Sequence, residues 1–119
     1  MTTFDGKTVL VTGGSRGIGR ACSRLLAKNG ARVAVNYRSG ESQAQSLVEE
    51  ISAAGGEGFA TRADVSSPEQ VWKMVDAVER NLGPIELLVN NAGIFDFVSH
   101  NETTLDIWQR TLDINLTGT

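Results

Sequence analysis

Apolar positions along this chain follow two alternating rhythms. Thr8-Val9-Leu10-Val11-Thr12 is apolar or β-branched at every position and stops at glycines, which fits a strand covered on both faces, as in parallel sheets. Beyond the glycines, Ile18, Ala21, Cys22, Leu25 and Leu26 recur at helical spacing until Asn29-Gly30 ends the run. Arg32-Val33-Ala34-Val35-Asn36-Tyr37 predicts a second strand, and Ala44, Leu47, Val48 and Ile51 a second helix, stopped by Gly55-Gly56. A weaker third strand covers residues 58–64. Ser67-Pro68-Glu69 then supplies a cap, a proline for the first helical position and an acid for the first turn. The third helical stripe is Val71, Met74, Val75, Val78 and Leu82, ended by Gly83-Pro84. Ile85-Glu86-Leu87-Leu88-Val89 reads as a fourth strand. After a loop, Leu105, Trp108, Leu112 and Leu116 mark a fourth helix.

The order is β-α-β-α-β-α-β-α with short connections. Right-handed crossovers turn that alternation into a parallel sheet with helices on both faces. With 119 residues, no repeat and no linker, the chain holds one domain. No apolar run approaches the ~20 residues that span a bilayer. Met1 to Lys7 lacks the layout of a signal peptide, and a single cysteine, Cys22, fits a reducing compartment; a cytoplasmic location is the expectation. A net charge of −3 and strands without aromatic pairs exclude a generic nucleic-acid binder. His100, between Asp96 and Glu102 in a polar loop, does not make a metal site, and none is expected. Cys22 lies on an apolar stripe and reads as core. Trp72 and Trp108 read as packing or subunit-contact residues.

The chemistry-bearing signal is Thr12-Gly13-Gly14-Ser15-Arg16-Gly17-Ile18-Gly19, between the first strand and the first helix. Glycines there permit a tight turn and bring backbone N–H groups close to a pyrophosphate. The helix behind them adds free N–H groups and partial positive charge. The spacing is G-x-x-x-G-x-G, so the general G-x-G-x-x-G dinucleotide pattern fails. A P-loop is excluded because no Gly-Lys-Ser/Thr follows.

Together with Asn90-Asn91-Ala92-Gly93, Asp64-Val65 after the third strand and Asn115 in the fourth helix, this loop resembles the short-chain dehydrogenase/reductase family. The resemblance runs in order from residue 5 onward. It implies an α/β, Rossmann-type doubly wound parallel sheet of which residues 1–119 form the N-terminal, dinucleotide-binding portion. It also implies roles for particular residues. The backbone from Gly13 through Gly17 to Gly19 would cradle the dinucleotide, with Ser15 and Ile18 near the phosphates or the nicotinamide side. Asp64 would accept from the adenine amino group, with Val65 beside the ring. Asn91, Ala92 and Gly93 would line the ribose and approach the nicotinamide, and Asn90 would tie neighbouring strands together. Asn115 matches the asparagine that holds a water in the family's proton relay. Two plainer readings stay open: Asp64 as a cap on the next turn, and Asn115 as a helix-ending residue.

Dinucleotide folds that take NAD place a carboxylate at the end of the second strand, on the ribose 2′-hydroxyl. Here the strand ends Asn36-Tyr37-Arg38-Ser39, with no acid before Glu41. Arg38, and Arg16 from the glycine loop, are placed to fork onto a 2′-phosphate, so NADP(H) is the expected cofactor. Both could also be solvated surface charges.

The family's chemistry is hydride transfer coupled to a proton relay through Ser, Tyr and Lys. Its Tyr-x-x-x-Lys motif is not in this chain: the one tyrosine, Tyr37, is followed four residues later by Glu41. The expectation is therefore the cofactor half of a reductase, with the catalytic C-terminal half absent from this chain. Asn36-Tyr37-Arg38-Ser39 and Asp113 to Gly118 look like 3-oxoacyl-carrier-protein reductases and glucose 1-dehydrogenase-like enzymes. The implied partners are a small carbonyl or alcohol substrate and further copies of the chain, as a dimer or tetramer. The rival is a non-catalytic dinucleotide-binding module. A Tyr-x-x-x-Lys about forty residues downstream would sink that rival.

Overall fold

A computed structural model describes residues 3–119; Met1 and Thr2, part of the N-terminal reading above, lie outside the described residues. Four parallel strands form one sheet: β1 (Thr8–Val11), β2 (Arg32–Tyr37), β3 (Glu57–Arg62) and β4 (Ile85–Val89), in the order β3-β2-β1-β4. Helices α1 (Gly17–Lys28), α2 (Glu41–Ala53) and α3 (Pro68–Leu82) make the crossovers. A fourth helix, α4 (Leu105–Leu112), runs directly into a π-helical turn over Asp113–Thr117. The expected fold class is the observed one. Among the described residues, no helix is long and apolar enough to cross a membrane.

Side chains alternate across a strand, and the continuous apolar runs split accordingly into two cores. Val9, Val11, Val33 and Val35 pack with Ala44, Leu47 and Ile51 of α2. Leu10 and Ala34 face the other way and meet Met74, Val78 and Leu82 of α3. Helix α3 starts as its sequence requires: the Ser67 hydroxyl accepts from the Gln70 N–H, and Pro68 occupies the first turn.

Helix α1 departs from the expected stripe. Its buried residues are Gly19 and Ser23, with Leu26 and Ala27 packed behind them, whereas Ile18 is 78% and Leu25 62% exposed. The reason is size. The helix lies so close to the glycine loop that only small side chains fit beneath it, and the Ser23 hydroxyl bonds back to Gly19 O at 2.9 Å. Periodicity weighs apolarity and is blind to that clearance. On α4, Leu105 and Trp108 are exposed, as is Leu116 beyond it. Leu112 is half-buried and Ile114 takes the buried place.

Candidate functional site

All four strands end at one side of the sheet, and their carboxyl ends open into a cleft of about 290 Å³. Parallel α/β sheets bind ligands in this position. Gly13, Ser15, Arg16 and Gly17 form one wall. Arg38 closes the β2 end, and Asp64 with Val65 the β3 side. Asn91, Ala92 and Gly93 lie opposite. Of the residues singled out in the sequence, Ile18, Gly19 and Asn115 are not on the wall. The side chain of Ile18 is exposed. Gly19 sits behind the loop, and Asn115 acts through Ile94.

The glycine loop is shaped by what a side chain would hit. Gly17 has φ of +55°, in the left-handed region that glycine tolerates. At Gly19 an added Cβ would overlap the Gly13 carbonyl and stand 2.5 Å from Asn91 Nδ2. The first turn of α1 has no acidic residue, and Arg16 occupies the cap position without any side-chain cap bond. A helix N-terminus normally attracts Ser, Asp or Glu. This one presents its N–H groups uncapped beside an arginine, which suits an anion.

The 90–93 segment is held from β1. Thr12 Oγ1 accepts from the Asn91 and Ala92 N–H groups, both at 3.0 Å, and donates to Val89 O at 3.3 Å. Asn91 Nδ2 donates to Thr12 O and Gly13 O, each at 3.0 Å. Asn91 therefore ties the strands together, a role the sequence reading gave to Asn90, which is exposed. The difference is one of pleat: the residue after β4 that turns toward β1 is Asn91.

At the β2 end, Arg38 lines the cleft together with Arg16. The Arg16 guanidinium carbon lies 3.8 Å from where a Cβ on Gly40 would stand, and both arginines are exposed at the cleft. No carboxylate lines it there. Tyr37, a wall residue missed in the sequence, has its phenol pKa raised by burial and then by the charge of Glu41. Asp64 is held below the usual carboxylate range, chiefly by the Ser66 hydroxyl, with Ser66 N–H and the charges of Arg38 and Arg110 adding to it. Both Ser66 bonds, at 2.9 and 2.6 Å, fall on Oδ1. Asp64 thus caps the next turn through one oxygen, Oδ1, as the plainer of the two sequence readings expects.

Asn115 lies in the π-helical turn, a feature often found at functional sites. Its Oδ1 accepts from Ile94 N–H at 2.7 Å and its Nδ2 donates to Ile94 O at 2.8 Å. The amide holds the backbone that follows Gly93 with one bond at each end, leaving one N–H and one lone pair for other partners. Ile114, from the same turn, is buried and completes the wall.

The sequence profile described as short chain dehydrogenase matches residues 7–119. The 3-oxoacyl-[acyl-carrier-protein] reductase of Synechocystis sp. is 40% identical over 118 residues, covering 99% of this chain and 48% of that protein. Glucose 1-dehydrogenase 2 of Bacillus subtilis is 39% identical, covering 98% of this chain and 45% of that protein. Among solved structures, a Burkholderia cenocepacia short chain dehydrogenase in complex with NADP superposes with a TM-score of 0.91 at 43% identity, over 97% of this chain and 47% of that one. The chain spans about half the length of the proteins it matches. With its parallel sheet, its glycine loop and a match over nearly every residue, the chain belongs to the short-chain dehydrogenase/reductase family.

Proposed function

We propose that residues 1–119 are the dinucleotide-binding half of an NADP(H)-dependent oxidoreductase, and that the longer protein reduces the carbonyl of a small molecule, a 3-oxoacyl thioester before others. The observation that carries the cofactor choice is the pair Arg16 and Arg38 at one end of a cleft with no carboxylate closing β2. Guanidinium forks match phosphate oxygens in geometry and charge. The Burkholderia cenocepacia neighbour in complex with NADP supports the same choice.

The bound cofactor would supply the hydride. The chain's own residues bind and orient it. N–H groups of Gly17, Ile18 and Gly19 would meet the pyrophosphate at the start of α1. Arg16 and Arg38 would hold the 2′-phosphate, and Asp64 Oδ2 the adenine amino group between the apolar walls of Val65 and Ile114. The backbone of Asn91 to Gly93 would line the ribose and approach the nicotinamide, with Asn115 fixing the loop beyond. Proton transfer is assigned to a tyrosine and a lysine outside this chain, since Tyr37 carries Glu41 four residues on. Similarity to glucose 1-dehydrogenase 2 supports a second reading, oxidation of a sugar or alcohol. A panel of 3-oxoacyl thioesters and sugars separates the two.

The test of the cofactor choice is Arg38→Asp. It removes charge-assisted contact worth ~1–2 kcal/mol, so NADP(H) preference should fall roughly 5–30-fold and NAD(H) should take over. An unchanged preference in both Arg38→Asp and Arg38→Ala ends the claim.

A further inference from the structure

The least expected residue in the β-strands is Asn36. It follows the apolar run Val33-Ala34-Val35 in the strand Arg32 to Tyr37, and is 2% exposed. A buried amide with unmet bonds is costly, and this one is fully used. Oδ1 accepts from Gly13 N–H at 3.1 Å. Nδ2 donates to Ala63 O at 3.2 Å, with Thr61 O at 3.4 Å. The main-chain carbonyl of the same residue accepts from Gly14 N–H at 2.8 Å. The amide orientation is fixed by its neighbours, because the reverse would set Nδ2 against an N–H and Oδ1 against two carbonyls.

These side-chain bonds join two parts of the cleft directly, whereas the main-chain bonds Gly14 N–H to Asn36 O and Ala63 N–H to Tyr37 O tie each part only to β2. Gly13 begins the glycine loop, and Ala63 immediately precedes Asp64 and Val65. Asn36 itself precedes Tyr37 and Arg38. We infer that Asn36 is a positioning residue: its side-chain amide sets the distance between the pyrophosphate loop and the adenine rim, so that one dinucleotide can reach both at once. The inference rests on the dinucleotide reading above. It predicts a cost confined to ligands long enough to span both parts. A ligand seated on the adenine rim alone, without the 2′-phosphate that Arg16 of the loop would hold, does not depend on where the glycine loop stands.

Two variants separate positioning from mere support. Asn36→Asp keeps the shape and the acceptor for Gly13 N–H but turns an oxygen toward the Ala63 and Thr61 carbonyls. Asn36→Ser is neutral and too short to bridge both sides. The 119-residue chain and both variants are titrated with NADPH and with adenosine, which carries the adenine and its ribose without the pyrophosphate or the 2′-phosphate. Circular dichroism melts check the fold at the assay temperature. The expected result is NADPH binding weakened about 10-fold or more, the scale of one or two lost hydrogen bonds, while adenosine affinity changes less than about 3-fold. Equal losses for the two ligands, or loss of the fold in both variants, would overturn the inference, because the amide would then support the sheet rather than the spacing. Unchanged NADPH binding in folded variants overturns it and leaves the cofactor reading standing. Absence of NADPH binding by the unaltered chain removes both.

Discussion

Replacing Thr12 with valine should cost far more than its size implies. Valine matches threonine in shape, so packing around the 6%-exposed site is kept. What disappears is the acceptor shared by the Asn91 and Ala92 N–H groups, each at 3.0 Å. Val89 O loses a hydroxyl but keeps the Thr12 N–H at 3.0 Å, so the carbonyl is not orphaned. Two donors are. A buried donor left without a partner costs ~1–3 kcal/mol, and these are only partly buried, so the sum is about 2–4 kcal/mol. With a urea slope near ~1–2 kcal/mol/M for a domain of this size, the unfolding midpoint should drop by about 1–4 M. Thr12→Ser keeps the hydroxyl and should retain most of the stability. Amide hydrogen exchange should show Asn91 and Ala92 losing protection first. A midpoint shift under about 0.3 M at unchanged slope, with those two amides still protected, would refute the argument that this hydroxyl holds the segment.

Gly19→Ala should lower stability by ~1–3 kcal/mol through overpacking, because its methyl overlaps the Gly13 carbonyl and that partner is backbone. Gly17→Ala meets open space and should cost only ~1–2 kcal/mol of left-handed strain; equal chemical-denaturation losses for Gly19→Ala and a surface Gly→Ala control would contradict this. In acid, Glu50, Glu86 and Asp64 all matter, since the bonds from Arg24, Lys7 and Ser66 respectively hold their carboxyls below the usual range. The unfolded chain then binds more protons in that window. Their stabilisation is complete above about pH 4–4.5 and is lost as pH falls through the lowered folded values. A urea midpoint that stays flat from pH 7 to 3 would show that these bonds contribute nothing. Exposed Leu105, Trp108 and Leu116, with Leu88 on the edge strand β4, should make the isolated chain self-associate. Sedimentation should show this and Trp108→Glu should reduce it; a monodisperse monomer at high concentration would count against a role for this face in assembly.

The sheet was legible because β1 and β2 are apolar at both pleat parities and glycines punctuate every crossover. The cleft wall was legible because its backbone needs glycine at named places. Helix α1 was misread where closeness, not hydrophobicity, selects the buried face: Gly19 and Ser23 carry no apolar signal. The strand tie was placed on Asn90 instead of Asn91 because adjacent asparagines are alike in sequence and differ only in which way the chain turns after β4. Thr12, Asn36 and Tyr37 acquire their roles from partners in other strands, 23 or more residues away for the hydrogen bonds of the first two, and no local pattern reports such partners. Asn36 did leave one trace, a polar residue directly after an apolar run, and a buried amide is a reason to look for what it holds.

The central claim is that this cleft selects a 2′-phosphorylated dinucleotide. Its most direct test is titration of the chain with NADPH and NADH in parallel, by calorimetry or nicotinamide fluorescence, at low and moderate salt. NADPH should bind roughly 5–30-fold more tightly, the difference shrinking with salt, falling in Arg38→Ala and disappearing when Arg16→Ala is added. Equal affinities for the two cofactors, or a preference for NADH that survives in Arg38→Ala, would contradict the account.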